Sequence, residues 1–76
     1  MSELEWLDIF STNLQELMRQ SRLSQRDLAR YSKLSEATIS SYINKFKMPS
    51  VKSILAISYA LGVDVSDLVD FGDVIE

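Results

Sequence analysis

The stretch from Gln25 to Asn44, QRDLARYSKLSEATISSYIN, constrains this chain more than any other. Apolar residues recur at helical spacing in two short blocks, Leu28 and Ala29 in the first and Ile39, Tyr42 and Ile43 in the second, with Leu34 between them. The result is one shared apolar seam, and the small side chain of Ala29 lets the second helix cross close to the first. Ser24 is placed to cap the first helix, with Asp27 three residues on. Ser35 is placed to cap the second, with the Glu36 carboxylate near the positive end of the helix dipole. About two turns per helix are too few to be stable alone in water, so the pair must be held by helices elsewhere in the chain.

Two short helices across a tight turn make a helix-turn-helix pattern. The run LSQRDLARYSKLSEATISSYINKFKMPS, followed by ILAISYALGV and a final DL, resembles the lambda-repressor-like DNA-binding domains of phage repressors, Cro proteins and bacterial xenobiotic-response-element-type regulators. The resemblance covers residues 10–69. It rests on Leu-Ser-Gln before the first motif helix, Leu-Ala within it, Thr-Ile-Ser in the second, Pro-Ser opening the next helix and Ala-Leu-Gly-Val closing it. It implies a compact, all-α, five-helix domain that reads duplex DNA with the helix from Ser35 to Ile43. By the same resemblance Glu36, Ala37, Ser40 and Ser41 face base edges in the major groove. Gln25 binds a DNA phosphate and braces that helix, although an ordinary helix-start glutamine is the plainer reading. Arg26, Asn44, Lys45, Lys47 and Lys52 complete the expected phosphate contacts, Lys52 beside the opening amides of the fourth helix.

The chemistry of the reading face is sparse. Glu36 can accept from cytosine N4, Ala37 can touch a thymine methyl, and the serines can donate or accept. No Arg or Gln on this face offers a bidentate contact, so most affinity is expected from phosphates. Glu36 has a plainer reading too, as a favourable charge on the helix dipole.

Three departures from the family stand out. Lys33 replaces a frequent turn glycine and Lys45 a frequent glycine after the second motif helix; a positive φ at either is uncommon for a non-glycine residue. Met18 and Ile43 occupy positions where many relatives carry a buried Arg–Glu pair. Both ends have changed together, and apolar replacement of such a pair is often neutral or stabilising.

A net charge of −3 argues at first against a nucleic-acid partner, but its distribution reverses the sign locally. All eight basic residues fall between Arg19 and Lys52, opposed there only by Asp27 and Glu36, which leaves +6 in that segment, −4 before it and −5 after it. Screening over about 8 to 10 Å lets a phosphate backbone respond to the local patch. With no Cys and no His, disulfides and the usual zinc sets are excluded. No cofactor is expected, and neither a nucleophile with a base nor a phosphate-cradling loop suggests an enzyme. No apolar run approaches a membrane span, and the acidic start MSELEWLDIF is wrong for a signal peptide, so a cytoplasmic protein is expected.

Taken in order, residues 1–76 read as one domain. Ser2 and Glu5 form a capping box for a first helix through Ser21, with Leu4, Leu7, Phe10, Leu14, Leu17 and Met18 on its stripe. A new start at Ser11 or Thr12, leaving residues 1–9 as an arm, is the alternative. Phe46 and Met48 either pack under the basic loop from Asn44 to Pro49 or face a partner, and packing under it is the favoured expectation. Ser50 caps a fourth helix ended by Gly62, and Asp64 opens a short fifth helix. So few base-reading side chains on one helix imply a homodimer on DNA. Two apolar segments qualify as its interface, the extension with Leu4, Trp6 and Leu7 and the end with Leu68, Phe71, Val74 and Ile75; the family precedent favours the second, with Trp6 against the tail of residues 70–76 in the same subunit. The working expectation is a transcriptional regulator, a repressor of phage or mobile-element type. The rival is a protein-interaction module of the same fold, antitoxin-like or binding an antirepressor.

Overall fold

The structure is a computed structural model that describes residues 2–69. Five helices follow in order: α1 Glu3–Ser21, α2 Gln25–Ser32, α3 Glu36–Ile43, α4 Val51–Leu61 and α5 Val65–Leu68. Among the described residues there is no strand. The all-α, five-helix expectation holds, and α1 runs unbroken through Ser11 and Thr12.

Each of the first four helices starts where a serine hydroxyl accepts an orphan amide three residues on, which pins the boundary against fraying. Ser2 accepts from the Glu5 amide at 3.2 Å, Ser24 from Asp27 at 3.1 Å, Ser35 from Thr38 at 3.0 Å and Ser50 from Ser53 at 3.1 Å. At Ser24 the box is reciprocal, its own amide donating to the Asp27 carboxylate at 3.3 Å. No reciprocal bond from Glu5 accompanies the Ser2 cap, so that box is only half formed.

The helix ends share a second device. Arg22, Lys33 and Lys45 adopt φ of 58°, 61° and 63°, and Gly62 φ of 70°. After each, the next residue's amide reaches back five positions: Leu23 to the Met18 carbonyl, Leu34 to Ala29, Phe46 to Ser41 and Val63 to Ser58. These are left-handed caps of the Schellman kind. Three of the four use a cation where glycine is usual, which places positive charge at the negative end of a helix and offsets part of the left-handed cost. The positive φ at Lys33 and Lys45 was foreseeable from the family's glycines; the one at Arg22 was not.

The core gathers Leu7, Phe10, Leu14 and Met18 from α1, Leu28 and Ala29 from α2, Ile39 and Tyr42 from α3, and residues of α4 and α5. Full burial of such a side chain is worth about 1.5 to 3 kcal/mol, which is why two-turn helices persist here. Trp6 stacks on Phe10 at 5.4 Å, and Phe10 meets Tyr42 edge-on at 6.0 Å. α1 lies against α3, α4 and α5, while α2 packs on α3 and α4. Met18 is buried and Ile43 half-buried against the core, so apolar side chains stand where many relatives hold charges.

Several expectations fail. Leu68 is not available to a partner: it is fully buried, and the Asn13 side chain donates to its carbonyl at 2.9 Å, so α5 spends its one large apolar residue on its own core. Leu4 is exposed, one turn before α1 first meets the body at Leu7. Phe46 is 83% exposed and Met48 is also exposed, so neither packs under the loop. Phe71, Val74 and Ile75, and with them the expected contact of Trp6 with the tail, lie outside the described residues.

Candidate nucleic-acid interface

α3 divides cleanly into two sides. Ile39 and Tyr42 are buried, which turns Glu36, Ala37, Ser40 and Ser41 outward along the opposite side, Glu36 and Ala37 fully exposed and the serines partly so. The hydrogen bonds on this face separate two side chains that look alike in the sequence. The Ser41 hydroxyl donates back to the Ala37 carbonyl at 2.8 Å, which commits its proton and leaves its lone pairs outward. The Ser40 hydroxyl instead accepts from the Asn44 amide at 3.1 Å, which leaves its proton available to donate.

Asn44 itself is more occupied than its expected phosphate role assumes. Its side-chain amide also donates to the Ser40 carbonyl at 3.0 Å, closing the end of α3. Lys45 is likewise engaged. Its ammonium pairs with the Asp8 carboxylate of α1, both side chains still reaching solvent. Asp8 is a member of the site that no motif could have announced, because it comes from 37 residues away in sequence, on another helix.

The remaining expected phosphate contacts are unencumbered in kind. Gln25 is the first residue of α2, and Gln25, Arg26, Lys47 and Lys52 are all exposed. Arg30, two turns along α2 from the cap, lies over the Tyr31 ring at 5.3 Å. The Ser24 amide, then the Ser24 side chain, hold the Asp27 carboxyl below its ordinary value, with smaller contributions from Arg30 and Arg26. One of the two acids in the basic segment is thereby committed to capping α2.

Outside this face, Val51, Leu55 and Tyr59 form an exposed apolar stripe at four-residue spacing along α4, 73%, 53% and 87% accessible. They alternate along the helix with Ile54, Ile57 and Leu61, which are buried. No group of metal-ligating residues assembles among the described residues, and none of their helices is long and apolar enough to cross a membrane.

A capped helix pair with an outward polar face on the second helix and cations around it defines a DNA-binding helix-turn-helix domain. The chain belongs to the Cro/C1-type HTH DNA-binding domain family, whose model matches residues 13–73. Its fold is also similar to the solved structure of the restriction-modification controller protein C.AhdI from Aeromonas hydrophila, at 29% identity and a TM-score of 0.79, over 82% of this chain and 94% of that one. No curated protein matches the chain significantly. Family and fold together support a DNA-binding transcriptional regulator.

Proposed function

We propose that the protein is a sequence-specific repressor of phage or mobile-element type that binds duplex DNA as a homodimer, with α3 in the major groove of each half-site. The observation that carries this reading is the outward face of α3, where Glu36, Ala37, Ser40 and Ser41 stand clear of a buried Ile39 and Tyr42. Ser40, with a free proton, suits acceptors such as guanine O6 or N7. Ser41, with its proton spent, suits donors such as cytosine N4 or adenine N6. Gln25, Arg26, Lys45, Lys47 and Lys52 hold phosphates, and Asn44 joins them by exchanging a bond within α3 for one to DNA.

One such face is too poor in bidentate contacts to specify a site alone, which is the reason for a dimer with two half-sites about one helical turn apart. With Leu68 withdrawn into the core, the Val51, Leu55 and Tyr59 stripe is the described surface best suited to meet a second copy; Phe71, Val74 and Ile75, the other candidates of the sequence, lie outside the described residues. The similarity to a restriction-modification controller protein supports a regulatory role. A protein-binding role, holding an antirepressor or toxin, is the second reading, and the same apolar stripe favours it.

Duplex binding measured across a salt series separates the two. Phosphate contacts predict a log–log slope of several units, whereas a module that binds only protein shows no salt-dependent duplex binding.

A further inference from the structure

The four left-handed caps are built alike, and three of them seat the residue that follows against the core: Leu23, Leu34 and Val63 are each half-buried on it. Such a contact is the usual companion of this cap. Phe46 breaks the pattern. Its amide makes the same backward bond, to the Ser41 carbonyl at 2.8 Å, yet its ring is 83% exposed. The largest of the four side chains is the one held out in water, where its apolar area gains nothing from burial.

Its surroundings say what it meets. The bond to Ser41 fixes the backbone of Phe46 directly on the end of α3, within one turn of the reading face. Lys45 and Lys47 flank it in sequence, and Lys45 is tied to α1 through Asp8. An exposed ring between two cations complements a surface that is apolar in patches and anionic between them. The sugar–phosphate wall of a duplex has that alternation, deoxyribose carbons between phosphates.

We infer that Phe46 packs on the deoxyribose face of the strand bordering the major groove, at the end of α3, while the flanking lysines take the phosphates on either side. The inference rests on the DNA-binding reading above and adds a sequence-independent apolar contact to it. Because the contact is made to sugar rather than to a base, it raises affinity for every duplex alike. Because it carries no charge, it adds nothing to counterion release.

The test compares the full chain with Phe46→Ala and Phe46→Leu on one selected operator duplex and one unrelated duplex, with circular dichroism to check that each variant is folded. Phe46→Ala weakens binding to both duplexes by roughly tenfold, with the salt slope unchanged. Phe46→Leu recovers most of the loss, since the contact needs apolar area rather than an aromatic ring. Replacing thymidines of the operator by deoxyuridine does not alter the ratio between parent and Phe46→Ala. If Phe46→Ala binds as the parent does, or if its loss vanishes on the deoxyuridine duplex and so reports a thymine methyl, the sugar contact is overturned while DNA binding stands. If the parent binds no duplex at all, the reading beneath it falls as well.

Discussion

The Ser11 hydroxyl donates to the backbone carbonyl of Ile43 at 2.7 Å, joining the middle of α1 to the last residue of α3. That carbonyl has no partner within its own helix, and Ser11 is fully buried, so the bond satisfies two groups that would otherwise be stranded. Gln15 donates to the same hydroxyl at 3.1 Å. Ser11→Ala is therefore expected to cost about 1 to 3 kcal/mol in urea unfolding, the penalty of a buried unpaired carbonyl. An unchanged midpoint would mean that the carbonyl finds water or another donor.

The cationic left-handed caps predict a small balance of opposing terms. Lys33→Gly relieves about 1 to 2 kcal/mol of steric cost but gives up about 0.3 to 1 from the helix dipole and adds chain entropy worth about 0.4 to 1. Its stability should lie within roughly 0.5 kcal/mol of the parent. Lys33→Val, β-branched and uncharged, should lose about 1 kcal/mol or more. Thermal denaturation of the two variants checks both numbers.

The Asp8–Lys45 pair sets an acid against the loop proposed to hold phosphates. Asp8→Asn releases Lys45 and removes a charge that repels DNA, so duplex affinity should rise and the log–log salt slope should steepen by roughly one unit. A surface pair of this exposure adds little to stability, so the melting temperature should barely move. Tighter binding without a steeper slope would show that Lys45 does not reach a phosphate.

Asp27 gives the pH dependence its sign. Its folded pKa is depressed by the Ser24 amide first, so the stability it contributes is fully present above the ordinary carboxylate pKa and is lost as pH falls through the depressed value. The difference in melting temperature between the parent and Asp27→Asn should be constant near neutrality, narrow on acidification below the ordinary carboxylate range, and close below the depressed pKa. A difference that widens with acid would contradict the box at Ser24.

The motif was legible because its signals are local. Ser24, Ser35 and Ser50 announce helix starts by position alone, and the spacing of Leu28, Ile39 and Tyr42 names the buried side before any packing is known. The failures are of another kind. Phe46 is apolar by type, and type alone favours placing it inward; the Lys45 cap leaves it out. Leu68 went the opposite way, because the hydrogen bond from Asn13 that draws α5 onto α1 spans 55 positions and leaves no pattern in the chain. The same holds for Asp8. The hydroxyl polarity of Ser40 and Ser41 depends on which neighbour bonds them, a difference invisible in two adjacent identical letters.

On the proposed function, the outer face of α3 reads bases while the cations around it hold phosphates. Selection from a random duplex pool by the parent, Ser41→Ala, Glu36→Gln and Lys47→Ala tests it most directly. The parent should select a two-half-site consensus, each α3 variant a changed preference at one symmetric pair of positions, and Lys47→Ala the parental consensus with uniformly weaker binding and a salt slope shallower by roughly one unit. An unchanged consensus in both α3 variants, or the same shift in the Lys47 variant as in them, would contradict it.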